Sequence, residues 1–117
     1  MSGHRTERVE RQLLEELANI VEHDLYDPSV GMVTFTSVRV SGDLSHARVY
    51  FSRLGTEEEQ EQCRKGLQRA AGFLRRELAH RARLRHTPEL VFQFDDTLET
   101  AERISRLLTK TVDLDEK

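Results

Sequence analysis

Between Arg64 and His86 the chain carries eight Lys or Arg side chains (Arg64, Lys65, Arg69, Arg75, Arg76, Arg81, Arg83 and Arg85) against one acid, Glu77. This local charge of +7 stands in a 117-residue protein whose formal charge is −3, so the rest of the chain carries −10. Cations gathered this densely on an acidic body are suited to neutralising the phosphates of a polyanion. At helical spacing the segment has two sides. Leu67, Ala71, Leu74, Leu78 and Ala82 recur at steps of three or four, and Lys65, Arg69, Gly72, Arg76, His80 and Arg83 recur opposite them. Ala70-Ala71-Gly72 interrupts both stripes with small side chains. A glycine inside a helix costs about 1 kcal/mol relative to alanine, so its presence suggests a break or a close approach by another backbone. The expectation is a kink with positive φ at Gly72, where an added Cβ clashes, so Gly72→Ala should lower the melting temperature and weaken binding. Two other uses of the basic stripe remain open: a solvated surface, or a helix that docks into an acidic groove of a protein partner.

Other residue types capable of chemistry lack the spacing for it. His4, His23, His46, His80 and His86 show no metal-ligand pattern, and Cys63 stands alone as an ordinary reduced thiol. Asp95-Asp96 could be a metal or acid/base pair, but Asp96 with Glu99 forms a D-x-x-E helix start that explains Asp96 without catalysis. No nucleophile elbow, phosphate loop or dinucleotide fingerprint occurs. The expectation is a protein that is not an enzyme, with no cofactor and no metal. Phe73, between the two faces of the basic segment, could stack on a base or pack against a sheet.

The elements that hold the basic segment can be read in chain order. Val9, Leu13, Leu17, Ile20 and Val21 trace a first helix, with Thr6 as its N-cap and its end near Leu25, before Asp27-Pro28 and Gly31. In Met32–Val40 the apolar phase shifts from odd (Val33, Phe35) to even positions (Val38, Val40), which a bulge near Thr36 or Ser37 reconciles. Ser41-Gly42-Asp43 is a turn, and Ala47, Val49 and Phe51 then alternate with His46, Arg48, Tyr50 and Ser52, giving an antiparallel hairpin. Thr56 and Glu59 form a T-x-x-E start for the helix that becomes the basic segment. Leu90, Phe92 and Phe94 form a third strand beyond Pro88, and a last helix from Asp96 to about Thr109 turns Ala101, Ile104, Leu107 and Leu108 inward. Apolar stripes of this kind pack most economically as a two-layer α+β sandwich, with helices on one face of a three-stranded sheet.

Length bounds this to one domain spanning residues 1–117, with short flexible ends at about 1–4 and 111–117. With 37% hydrophobic and 33% charged residues, no apolar run long enough to span a bilayer and no signal core, the expected location is the cytoplasm, with no membrane and no small-molecule substrate.

The order of elements and four stretches together resemble the bacterial ribosome-binding factor A family. The stretches are Arg8-Val9 with Gln12; Asp27-Pro28 through Gly31 into Val33-Thr34; Asp43-Leu44, Ala47 and Val49-Tyr50; and Ala70-Ala71-Gly72-Phe73 with Arg83-Leu84-Arg85 and Pro88-Glu89-Leu90. The resemblance covers about Arg5 to Leu108. It implies a type II KH-like fold, ordered α-β-β-α-kink-α-β-α with Ala70, Ala71 and Gly72 at the kink. It also implies a factor that binds 16S rRNA in the immature small (30S) ribosomal subunit and assists late maturation and rRNA processing; the expected state is a monomer. Candidate RNA-contacting residues are Lys65, Arg69, Gly72, Arg75, Arg76, His80, Arg83 and Arg85. The chain departs from ordinary KH domains in lacking the GXXG loop. It departs from the family in having Ala101 where Gly is common, and its tail is shorter than many.

Overall fold

The computed structural model describes residues 2–82, 84 and 86–96. Helix α1 (Ser2–Asp24) buries Leu13, Leu17 and Ile20 completely. It begins before Thr6, which therefore lies inside the helix and is not its cap. Arg5, Glu7 and Arg8 have good helix propensity, and a single threonine among them does not stop propagation. The chain then turns at Asp27, whose Oδ1 accepts hydrogen bonds from the Ser29 N–H at 3.0 Å and the Ser29 hydroxyl at 2.6 Å. Gly31 follows at φ +61°, a conformation that glycine adopts without a Cβ penalty.

Strands β1 (Thr34–Val40) and β2 (His46–Ser52) pair antiparallel. Their register slips between Phe35, opposite Phe51, and Ser37, opposite Tyr50. The expected bulge is thus at Thr36, and it lets Phe35 pack on the same core that buries Val38. The hairpin turn is held by Asp43, whose Oδ1 accepts from the Ser41 and Ser45 hydroxyls and the Ser45 N–H. Those bonds, led by the one from the Ser45 hydroxyl, lower the Asp43 pKa to about 2.

Helix α2 (Glu57–Arg69) opens with the anticipated capping box: the Thr56 hydroxyl accepts from the Glu59 N–H, and the Glu59 carboxylate accepts from the Thr56 N–H, both at 3.1 Å. Ala70 alone separates it from α3 (Ala71–Arg81), and β3 (Glu89–Phe94) then runs parallel to β2. The sheet order β1-β2-β3 makes β3 an edge. That edge is closed by Gln68 of α2, whose amide donates to Leu90 O at 3.0 Å and accepts from the Phe92 N–H at 3.2 Å. A neighbouring strand would offer the same pair of bonds, so the side chain blunts an otherwise pairable edge.

Leu67, Leu74 and Leu78 from α2 and α3, together with the α1 leucines, close over Ala47, Val49, Phe51, Leu90 and Phe92. Cys63 belongs to this core, where burial pushes its thiol up to about 11. Helix α1 packs on β1, and α2 and α3 pack on β3, which gives the α+β two-layer arrangement expected from the sequence. Ties between helices fix the layer: the Gln12 amide donates to Ala82 O at 3.0 Å, and Arg81 pairs with Asp24. The expected final helix after Asp96 and the tail lie outside the described residues.

Two glycines in the basic segment prove physically different. At Gly66 an added Cβ would collide with Ser29 Oγ and lie 3.0 Å from Val30 Cγ2, whereas at Gly72 it would meet nothing within 4 Å. Gly72 also lacks positive φ, so the anticipated Cβ penalty at this residue is overturned. Gly66→Ala should therefore lower the urea midpoint, because the roughly 1–3 kcal/mol typical of overpacking exceeds the gain in helix propensity. Gly72→Ala should leave the midpoint unchanged or raise it by up to about 1 kcal/mol of stability.

Candidate nucleic-acid interface

The break between α2 and α3 is where the chain presents backbone and cations together. Ala70 has φ −84° and ψ 0°; its N–H bonds to Gly66 O at 3.1 Å and its carbonyl accepts from the Leu74 N–H at 2.9 Å. Helix α3 starts with no side-chain cap. The first-turn N–H groups of a helix have no intrahelical acceptor, and together with the dipole they favour an anion. Exposed Gly72 sits in that turn, with no neighbouring atom where a Cβ would stand. Of the three small residues assigned to the kink, Ala70 makes the break, while Ala71 and Gly72 open the next helix. Phe73 packs on the core, so it does not offer a free stacking face.

The surrounding cations divide by what they already hold. Lys65, Arg76 and His80 are exposed and make no hydrogen bond or ion pair among the described residues. Arg69 is also exposed, but its guanidinium donates to Ser29 Oγ at 3.0 Å and lies 3.6 Å from Asp27 Oδ2. Arg75 turns inward: its Nε donates to Pro88 O at 3.1 Å and its Nη2 to Thr87 O at 3.0 Å, so it fastens the lead-in to β3. Arg64 is paired with Glu61, and Arg81 with Asp24 and Glu77. Arg83 and Arg85 lie outside the described residues.

Lys65, Arg69, Gly72, Arg76 and His80, which helical periodicity set apart from the core stripe, are all exposed. Periodicity could not show that Arg75, one residue from Arg76, would be captured by carbonyls across the fold. It also passed over Arg39 and Arg48, which stand directly opposite each other across β1 and β2, both exposed. Their alternation with buried neighbours was the available signal, but the pairing register was not. Asp95, read with Asp96 as a possible acid pair, is buried and accepts from the Thr36 hydroxyl at 2.5 Å. Asp96 is exposed, and no cluster suited to a metal occurs among the described residues. Nor does any described helix have the length and apolarity to cross a membrane.

The sequence profile described as "Ribosome-binding factor A" matches residues 5–108. The chain belongs to the ribosome-binding factor A family. A ribosome-binding factor A from Thioalkalivibrio sulfidiphilus is 55% identical over 108 residues, covering 92% of this chain and 84% of that protein. One from Natranaerobius thermophilus is 48% identical over the same length, covering 92% and 82%. The fold agrees with that of solved relatives. The crystal structure of ribosome-binding factor A from Thermus thermophilus superposes with a TM-score of 0.68 at 34% identity, over 75% of this chain and 93% of that one. A solution structure of a Thermotoga maritima protein described as a putative ribosome binding factor A gives 0.71 at 34% identity, over 80% and 91%. Coordinates of the Thermus thermophilus factor fitted into a cryo-electron-microscopy map of a 30S complex give 0.56 at 33% identity, over 77% and 90%. The type II KH-like reading of the ribosome-binding factor A fold therefore holds for the described elements.

The loop that positions Arg69 has a pH signature. The Ser29 hydroxyl and N–H, and then the charge of Arg69, hold the Asp27 carboxyl below its ordinary value of 3.8. A carboxylate depressed in the folded state adds stability above its unfolded pKa and loses it as pH falls through the folded one. Asp27→Asn should accordingly remove part of the acid-induced loss between about pH 4 and the lower folded pKa, read as a smaller difference between urea midpoints at pH 7 and pH 3 than in the parent.

Proposed function

We propose that this protein binds the immature small ribosomal subunit through 16S rRNA, using the α2–α3 break, and assists late 30S maturation and 16S rRNA processing as a monomer in the cytoplasm. The observation that carries the reading is that exposed Lys65, Arg76 and His80, which form no ion pair among the described residues, flank in sequence the uncapped start of α3 at Gly72. Backbone N–H groups and flanking cations are the two kinds of donor that position an RNA phosphate. The open space at Gly72 admits the approach that a GXXG loop provides in ordinary KH domains. Family membership supports the partner, since a Thermus thermophilus relative has been fitted into a 30S complex. Arg69 contributes its exposed charge while holding the Asp27 loop, Arg75 supports the site from beneath, and Arg83 and Arg85 extend the basic run in sequence.

The test is sedimentation of the full-length protein with small subunits across a salt series. The double variant Lys65→Glu, Arg76→Glu should sediment less with small subunits and show a log–log salt slope smaller by about 1.4, from roughly 0.7 per lost single-strand phosphate contact. Its melting temperature should stay near the parent's, because neither side chain is paired among the described residues. An unchanged slope in the folded variant would move the interface elsewhere. Association that survives removal of RNA by nuclease would instead favour the basic helix as a dock for an acidic protein.

A further inference from the structure

The two most exposed large apolar side chains of the described residues, Tyr26 at 89% and Met32 at 93%, both flank the Asp27–Gly31 turn. Water-exposed aromatic and thioether groups on one short loop call for a reason, because burying them would have stabilised the fold. The loop is not loose. Ser29 and Val30 press on Gly66, Asp27 lies 3.6 Å from Arg69, and Arg53 donates to Val30 O at 3.0 Å. Tyr26 precedes this pinned turn directly, and its hydroxyl donates to His23 O at 3.1 Å at the end of α1. The ring is therefore tethered at its polar tip while its body stays in water, and it precedes Asp27, whose carboxylate lies 3.6 Å from Arg69.

We infer that Tyr26 is a stacking platform for an unpaired RNA base whose flanking phosphate is neutralised by Arg69 and Lys65. The inference rests on the RNA reading of the α2–α3 break and adds a residue that the charge pattern does not contain. Single-stranded RNA is held by this combination: cations track the backbone, and aromatic faces take the bases that the backbone turns outward. Stacking needs no particular base, because every base has a π-face. Tethering through the hydroxyl also lowers the entropy lost when the ring is immobilised.

Binding of full-length Tyr26→Ala and Tyr26→Phe to protein-free 16S rRNA and to small subunits, each across a salt series, tests this. Tyr26→Ala should weaken both interactions by about tenfold or more, with an unchanged salt slope, because a base stack releases no counterions. Tyr26→Phe, which keeps the ring, should bind within about threefold of the parent. Melting temperatures of both should stay near the parent's, given the exposure of the ring. Parental affinity in Tyr26→Ala would overturn the inference while leaving the phosphate reading intact. A loss seen with small subunits but not with protein-free 16S rRNA would also overturn it, by assigning the ring to a protein neighbour. Should the parent itself fail to bind RNA in a salt-dependent way, the RNA reading of the break fails first, and that outcome is separable from the other two.

Discussion

The contact on which the functional side of the molecule depends is the one between Gly66 and the turn after α1. Helix α2 closes the edge of β3 through Gln68 and also carries the cations that lead to the break. At Gly66 it lets Ser29 and Val30 come closer than any side chain would allow. That proximity brings Ser29 Oγ within reach of Arg69 and lets Val30 fill the core beside Leu67. A glycine in mid-helix costs about 1 kcal/mol, and burial of Val30 recovers more, since a fully buried valine contributes roughly 1.5–3 kcal/mol. The local defect is thus offset by tertiary packing, and the loop acquires a fixed position relative to the basic stripe.

The distribution of ion pairs shows why the +7 segment is not one uniform surface. Cations near acids of the helical layer are drawn into that layer: Arg64 to Glu61, Arg81 to Asp24 and Glu77. Arg75 finds carbonyls instead, and a guanidinium is well suited to spanning two of them with its planar fork. Exposed Lys65, Arg76 and His80 stay unpaired among the described residues. Surface ion pairs contribute little to stability, so the pairing matters chiefly for what it leaves available to a ligand.

Features set by local sequence were legible. The capping box at Thr56 and Glu59, the alternation of Ala47, Val49 and Phe51, and the phase change that demanded a bulge at Thr36 depend on neighbours a few residues apart, and all of them occur. What escaped depends on contacts distant in sequence. Gly66 looks like any helical glycine until Ser29 and Val30 are placed against it. Gly72 attracted attention because it sits in the Ala-Ala-Gly run, yet the dihedrals that end α2 belong to Ala70, and alanine occupies them without strain. Tyr26 was invisible for a related reason: in sequence it is one aromatic between Leu25 and Asp27 just past a helix end, and only its exposure distinguishes it from a core side chain. Charge was the signal that could be found in advance, and it drew attention to α2 and α3 without identifying which of their arginines are free.

A break between two helices is not by itself an anion site, and the side chains decide the matter here. The C-terminal end of α2 carries a partial negative charge of about half an electron, and the N-terminal start of α3 carries a similar positive one. With only Ala70 between them, these fields oppose each other at close range and largely cancel a short distance away. Acids in the first turn of α2, Glu57, Glu58 and Glu59, complement that helix's own dipole but are nearly its full length from the break. The local potential is therefore set by Lys65 and Arg69 on the turn before Ala70 and by Arg76 and His80 on the turns after Gly72. These groups offset the carbonyls of α2 and leave the N–H donors of α3 to set direction. In the interface proposed above, the small residues supply access, the helix start supplies geometry and the cations supply affinity, which together are the donors that position an RNA phosphate.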